Sequence, residues 1–334
     1  MTHAAGNGRT PSVSVVIPAY NAAETLPACL AALRRQTVPL DPAEIVVVDD
    51  GSDDGTAAIP EAFGVRLIRQ AHENQAVARN RGAWATSGEV ILFTDADCEP
   101  APDWVERMLA PFADPTIAGV KGRYRTKQPG LVPRFIQHEF ELKYEQLRRA
   151  DHLDFIDGYA AGYRREPFLQ LGGFDPRYPP VEDIELSFRA ARCGYRLAFA
   201  SDAVVYHRHR ETVVDFVRTK ARAAKLWVDV YRAHPGKLGN DSRQPRLVLA
   251  QIGLAAAVIG FGVVGVRVRP ARLAAGLAWA GLMMSSLPVA ARAVRTEPAV
   301  AAVVPLLTWL RATSQVVGIA AGVARRATSV ARRS

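Results

Sequence analysis

The chain has 334 residues, more than one ordinary domain needs, and carries 42 Lys and Arg against 33 Asp and Glu for a formal charge of +9. Its three cysteines, Cys29, Cys98 and Cys193, form no CxxC pair, which argues against a disulfide framework and a cysteine zinc site. The basic residues flank long apolar segments and no aromatic stacking face, so the charge suits lipid headgroups and not nucleic acid.

Residues 1–11 are polar and glycine-rich and lack the apolar core of a signal peptide, so the polar N-terminal part is expected on the cytoplasmic side. Four short runs rich in Val and Ile follow, at 13–17, 45–48, 65–68 and 90–93. Each is bounded by turn residues or a helical pattern, as fully buried parallel strands are. Between them the spacing predicts helices over 23–36, with Leu26, Leu30 and Leu33 on one face, over 55–63 and over 75–86. Alternating strand and helix means an α/β fold with a mostly parallel sheet flanked by helices. The pattern continues with a strand at 120–123, a helix over 132–149 and a glycine-containing segment at 158–164. A helix from Asp183 to Cys193 and two short strands, 196–200 and 203–207, complete it.

Residues 213–234 interleave Phe216, Leu226, Trp227 and Val230 with Arg218, Lys220, Arg222 and Lys225, the pattern of a helix lying in a membrane interface. Beyond Arg246 only Glu297 is acidic. Residues 247–266 and 273–291 are free of charge, and the first is long enough to cross a bilayer as a helix. A third segment, 299–323, contains Pro305, Arg311 and Gln315, which suit a re-entrant or interfacial piece as well as a span. Two spans are expected, the third being in doubt. Arg325, Arg326, Arg332 and Arg333 favour a cytoplasmic tail, whereas the three arginines of 267–272 run against that tendency if their loop is external.

In a sheet of this kind the ligand sits beyond the carboxyl ends of the strands. Three polar loops fall there: Pro18-Ala19-Tyr20-Asn21, Asp49-Asp50-Gly51-Ser52-Asp53 and Thr94-Asp95-Ala96-Asp97. An Asp-x-Asp pair alone is as often a cap or a solvated turn. Two acids delivered by a buried strand repel one another unless a divalent cation neutralises them. Asp53 or Asp54 is expected to cap the next helix, while Asp49 and Asp50 face the crevice. Neither GxxxxGK[ST] nor GxGxxG is present, so a P-loop and a Rossmann dinucleotide site are both unsupported, and phosphate charge is left to a metal and Arg79.

Four co-linear motifs, Val-Ser-Val-Val-Ile-Pro-Ala-Tyr-Asn (13–21), Val-Val-Asp-Asp-Gly-Ser-Asp-Asp-Gly-Thr (47–56), Ala-Arg-Asn-Arg-Gly (78–82) and Phe-Thr-Asp-Ala-Asp (93–97), resemble those of family 2 inverting glycosyltransferases over about residues 12–210. The resemblance implies a GT-A fold that binds a nucleotide-diphosphate sugar with Mg²⁺ or Mn²⁺. It assigns Pro18, Tyr20 and Glu24 to the base and ribose, Asp50 to the base, Arg79 to the base or phosphates, and Asp95 to the ribose or metal. Asp97 and, after the last strand, His207 become metal ligands, His209 fitting the family position less well. The motif Val181-Glu182-Asp183-Ile184-Glu185-Leu186 supplies the catalytic base, Asp183, with Glu182 beside it. Glu182 and Asp183 could instead only cap the helix, but Gly172-Gly173-Phe174-Asp175 upstream also resembles the family. No QxxRW motif is present, which favours transfer of single sugars over processive synthesis.

The expected organisation is therefore a flexible N-terminus (1–11), a GT-A catalytic domain (12–210), an amphipathic interface helix (211–235), membrane-associated helices (246–324) and a basic tail (325–334). The expected activity moves a sugar onto a lipid-linked glycan or polyprenyl phosphate at the cell membrane, with membrane lipids as partners and no nucleic acid. A sugar-phosphate nucleotidyltransferase would want a glycine-rich basic loop near the N-terminus, which 18–21 does not provide. A non-catalytic membrane scaffold would have no use for Asp50, Asp97 and Asp183.

Overall fold

The computed structural model describes residues 11–149, 153–239 and 246–331. The flexible segment expected at 1–11, apart from Pro11, and the tail arginines Arg332 and Arg333 lie outside the described residues. Elements follow in the order β1 (Val13–Ala19), α1 (Leu26–Arg34), β2 (Ile45–Asp49), α2 (Ile59–Ala62), β3 (Arg66–Arg69), α3 (Gln75–Ala85), β4 (Val90–Thr94), β5 (Cys98–Pro100), α4 (Trp104–Leu109), β6 (Ile117–Arg125), α5 (Leu131–Leu147), β7 (Ala160–Arg164), α6 (Arg165–Gln170), α7 (Glu182–Arg192) and β8 (Arg196–His207). Five helices complete the chain: α8 (Val213–Ala233), α9 (Arg246–Gly265), α10 (Arg269–Met284), α11 (Leu287–Ala293) and α12 (Pro298–Ala331). The chain divides into two compact units, Met1–Lys127 with Leu147–Arg208 and Gln128–Gln146 with His209–Ser334.

The first unit is built on one eight-stranded sheet in the order β3-β2-β1-β4-β7-β6-β8-β5. Strands β3, β2, β1 and β4 run parallel, and β6 runs parallel to β8. β7 is antiparallel to both β4 and β6, and β5 is antiparallel to β8. The Val and Ile runs of β1, β2 and β4 are buried because helices cover the sheet. α3 is started by Asn74, whose side chain accepts from the N–H groups of Ala76 and Val77. It reaches β1 at Gly82, where a Cβ would collide with Val16 and stand 3.1 Å from Val48. That close approach fixes the helix carrying Arg79 against the strands that carry the rim loops.

The sequence and the structure differ at several elements of this unit. The run at 65–68, expected as a fully buried strand, is the edge strand β3, with Arg66 and Arg69 exposed and Leu67 and Ile68 half-buried. The helix expected over 55–63 is a 3₁₀ turn followed by the single turn of α2. The two short strands expected at 196–200 and 203–207 are one strand, β8, whose pairing with β6 stops at Phe199 opposite Lys121 and resumes at Val204 opposite Arg123, with Ser201 and Asp202 in the bulge between. β5 was not expected, since three residues carry too little pattern to announce a strand.

The second unit is helical and includes α5. Its core joins Val132, Phe135 and Ile136 of α5 to Phe216 of α8 and to Val300, Val304 and Leu307 of α12. α8 and α12 meet at small residues: a Cβ on Gly318 would strike the Ala221 carbonyl oxygen, and one on Gly322 would lie 2.5 Å from that of Lys225. Asp229 of α8 is ion-paired with Arg325 and Arg326 of α12, so this stretch of the expected basic tail is helix through Ala331. Among the described residues, three helical segments are long and apolar enough to cross a membrane, Arg246–Gly265, Arg269–Ala293 (α10 with α11) and Pro298–Thr328. The third segment, in doubt from sequence, is continuous helix through Pro305. Its Arg311 is buried and pairs with Glu139 of α5 at 3.0 Å and with Gln251 of α9, the treatment an ionisable group in an apolar helix requires.

Candidate active site

The site lies at the carboxyl ends of β1, β2 and β4, and the first two loops there are tied to each other. Asn21, with φ 47°, donates its N–H to Ser52 Oγ at 2.9 Å and accepts from the Asp53 N–H at 3.1 Å. Asparagine tolerates that left-handed backbone better than other non-glycine residues. Asp54 holds the next turn, accepting from the Thr56 N–H at 3.0 Å and the Ala23 N–H at 2.9 Å, but neither Asp53 nor Asp54 is the helix cap expected from sequence: the N-cap positions are Gly55 and Ala58, without a side-chain cap hydrogen bond. Asp50 is buried just inside this rim. Its carboxylate accepts from Gln70 Nε2 at 2.5 Å and the Glu73 N–H at 2.9 Å, and lies 3.2 Å from His72 Nδ1. The Tyr20 ring is half-exposed and faces the His72 ring at 4.2 Å, so Tyr20 and Asp50 meet through His72. Pro18 sits at the end of β1 opposite Val48. Glu24 stands apart: it pairs with Arg208 at 2.7 Å on the surface.

The third loop and α7 are joined by one buried cation. Arg79, 2% exposed, donates to Asp95 Oδ1 at 2.7 Å and to Glu182 Oε1 at 2.5 Å, with its guanidinium 5.6 Å from the Phe174 ring. Burial opposes the guanidinium charge, but Asp95 and Glu182 outweigh it and hold Arg79 above its ordinary value. The sequence sends this arginine to the base or phosphates; its side chain here is engaged by two carboxylates. Glu182 is fully buried and also accepts from Gln75 Nε2 at 2.7 Å. Burial pushes its carboxyl up to about 7, with Arg79 pulling the other way and Asp183 adding to the rise.

That shift has a consequence for stability. The folded-state value lies above the ordinary 4.5, so between pH 4.5 and about 7 the folded chain holds a proton that the unfolded chain has released. The contribution is present in full below pH 4.5 and is lost as pH rises through about 7. Melting temperatures of the full chain in detergent are expected to fall across this window, and Glu182→Gln is expected to flatten the fall. Parallel curves for the two proteins would remove Glu182 from the account.

Asp183, next along the helix, is partly open. Its Oδ2 accepts the Gly158 N–H at 3.0 Å, and its Oδ1 accepts from the Ile184 N–H at 2.8 Å. Glycine is needed at 158, since a Cβ there would lie 2.8 Å from Arg79 Nη1. The base candidate, the peptide that orients it and the arginine that reaches Asp95 are thus in contact in series.

Asp97 is 42% exposed, and its Oδ2 stands 3.7 Å from His207 Nε2. Two donors that close fit one coordination sphere, whose opposite ligands are about 4 Å apart. The His207 ring is stacked on Tyr159 at 5.2 Å and Tyr124 at 5.5 Å, which fixes its direction. Cys98, paired with His207 across β5 and β8, completes a group whose donor atoms lie within 4.8 Å of one another. Burial, then the charges of Asp97 and Asp95, push its thiol well above the ordinary range, so the oxygen and imidazole donors are the ones available to a hard divalent cation. Asp95 is not in this group; it is the partner of Arg79. His209, the other histidine considered from sequence, stacks on Phe140 and takes its backbone partner from Gln128.

Sequence reasoning missed Gln70, His72 and Gln75, as well as the ion pair of Lys121 with Asp157. The first three lie one to six residues past β3 at the same rim, a position that could have flagged them. Lys121 gave no signal, since it sits inside a strand pattern.

Residues 14–172 match the family model Glycosyl transferase family 2. The chain is 30% identical over 209 residues to glycosyltransferase AglE of Haloferax volcanii, covering 60% of this chain and 68% of that one. It is 29% identical over 238 residues to the pre-mycofactocin glycosyltransferase of Mycobacterium tuberculosis, and there it spans about half of the relative's length, 48%. Among solved structures, a mannosyltransferase from Pyrobaculum calidifontis in complex with GDP-Man and Mn²⁺ shares the fold with a TM-score of 0.61, at 24% identity, over 94% of this chain and 87% of that one. The four motifs, the mostly parallel sheet with its acid-bearing rim and the match to AglE agree, and the chain belongs to glycosyl transferase family 2.

Proposed function

We propose that the chain is an inverting, metal-dependent glycosyltransferase that takes a sugar from a nucleotide-diphosphate donor at the cytoplasmic face of the cell membrane. The acceptor is a lipid-linked glycan or a polyprenyl phosphate. The observation that carries the reading is the position of Asp183: a partly open carboxylate, held by the Gly158 N–H, on the helix whose preceding residue is joined through Arg79 to Asp95. Support for a membrane acceptor comes from the three long apolar helices and from the basic residues of α8.

In this mechanism Asp50, Gln70, His72 and Tyr20 form the base end of the donor site, and Asp97 with His207 would hold Mg²⁺ or Mn²⁺, which would supply charge neutralisation for the leaving diphosphate. Asp183 takes the proton of the acceptor hydroxyl while that oxygen attacks the anomeric carbon from the face opposite the diphosphate, which inverts its configuration. A phosphate acceptor, already ionised, has no proton to lose, so the base role of Asp183 applies to a hydroxyl acceptor. Glu182 and Arg79 hold the base and Asp95 in register from below.

Release of nucleoside diphosphate from a panel of UDP-, GDP- and dTDP-linked hexoses is expected to stop on chelation and to return with Mn²⁺. His207→Ala is expected to raise the Mn²⁺ concentration for half-maximal rate by at least about tenfold. Turnover that persists undiminished in excess chelator would refute the metal part of the reading.

A further inference from the structure

We propose that the buried Lys121–Asp157 ion pair is a positioning device for Asp183: it fixes the peptide that donates to the base and so holds that carboxylate in one orientation and in its ionised form. The inference rests on Asp183 being the base.

Lys121 lies inside β6, is 1% exposed and takes no part in the donor rim. A lysine so placed is costly to bury unless it is paired. Its ammonium is ion-paired with the Asp157 carboxylate and lies 5.3 Å from the Phe155 ring and 5.8 Å from the Tyr124 ring. Asp157 is followed by Gly158, whose N–H is the donor to Asp183 Oδ2. The Asp157–Gly158 peptide is a rigid plane, so anchoring Asp157 restricts the direction in which that N–H points.

The same segment grips α7 a second time. The Ile156 N–H donates to Ser187 Oγ at 3.0 Å, and the Ser187 hydroxyl donates to the Asp183 carbonyl at 2.6 Å. That second grip reaches only backbone of Asp183, so it places the helix without orienting the carboxylate. On the other side of the glycine stands Arg79, at the distance that forbids a Cβ. The peptide is therefore held between two cations, Arg79 by contact and Lys121 through Asp157.

Among the described residues, the charged and titratable groups that feel Asp183 include Arg79 from α3, Lys121 from β6, Tyr159 and Tyr163 from β7 and the segment before it, and Glu182 from its own helix. Of these, Arg79 and Lys121 are cations. Burial lowers Lys121 to about 7, with Asp183 opposing the fall, so the two groups sense one another across the site.

The test uses the full chain in detergent micelles with carbonyl-labelled aspartate and nitrogen-labelled glycine. Only three Asp-Gly peptides then give signals, 50–51, 54–55 and 157–158. The Gly158 signal is identified as the one whose pH titration disappears in Asp183→Asn. Its midpoint in the wild type reports Asp183, and Lys121→Met is expected to move it upward by about one unit, because a cation and a fixed donor both favour the ionised carboxylate. A lone Lys121→Met substitution leaves Asp157 buried without its lysine and can unfold the chain. The double variant Lys121→Met/Asp157→Asn leaves neither charge behind, and is expected to melt within a few degrees of the wild type and still to raise the midpoint by about half a unit. A Gly158 signal that ignores pH in the wild type, or a midpoint unmoved in both variants, overturns the inference. Failure of the functional reading is separate: it shows as turnover surviving in Asp183→Asn, whatever the titration gives.

Discussion

Asp183→Asn is expected to lower nucleoside-diphosphate release by about 10²–10⁴-fold, the range that removal of a positioned general base produces, while leaving donor affinity unchanged. Asparagine keeps the size of the side chain and an oxygen able to accept the Gly158 N–H, so the local packing survives. What disappears is the capacity to take a proton. The two measurements are donor binding by calorimetry with Mn²⁺ and turnover of the same donor. Loss of both together would mean that the substitution damages the donor site, and unchanged turnover would move the base elsewhere. Glu182 is a poor substitute, since it is fully buried and its Oε1 already receives Arg79 and Gln75.

Arg79→Met is expected to destabilise the protein by about 3–5 kcal/mol at pH 8, the cost of leaving a buried carboxylate without its cation. For a unit of this size that corresponds to a fall of roughly 10 °C in melting temperature. The loss is expected to shrink at pH 5.5. Without the arginine, which holds it down, Glu182 titrates still higher, stays protonated at that pH and no longer buries a charge. Adding Glu182→Gln to Arg79→Met is expected to recover part of the loss at pH 8 for the same reason. Arg79→Lys should not rescue, because an ammonium does not present two separate donors in a fixed fork to Asp95 and Glu182. A melting temperature within about 2 °C of the wild type at pH 8 would show that the bridge carries no stability.

Much of the fold was legible because its signal is local. The Val and Ile runs of β1, β2 and β4 are buried on both faces, so composition alone marks them. The polar residues that end these strands are legible for the same reason, since a buried strand has to deliver its next residue to a rim. Other features required partners far along the chain. Ser201 and Asp202 have the composition of a turn and divide the pattern of β8 in two; they remain in the strand because β6 accommodates the bulge. Pro305, Arg311 and Gln315 make the third apolar segment a doubtful span in sequence, and nothing near Arg311 announces that Glu139 and Gln251 receive it.

The sequence by itself determined the α/β class, the three rim loops with Asp50, Asp95 and Asp97, the acidic start of α7 and the apolar C-terminal part. Each follows from residue type and short-range periodicity, which the chain displays before it folds. Only the tertiary structure decided that Arg79 bridges Asp95 and Glu182, that Asp97 meets His207, and that a buried lysine stands behind the peptide that orients Asp183. These are contacts between carboxylates and nitrogen-bearing side chains up to 110 residues apart. Burial sets their strength, and burial is a property of packing that no stretch of sequence carries alone.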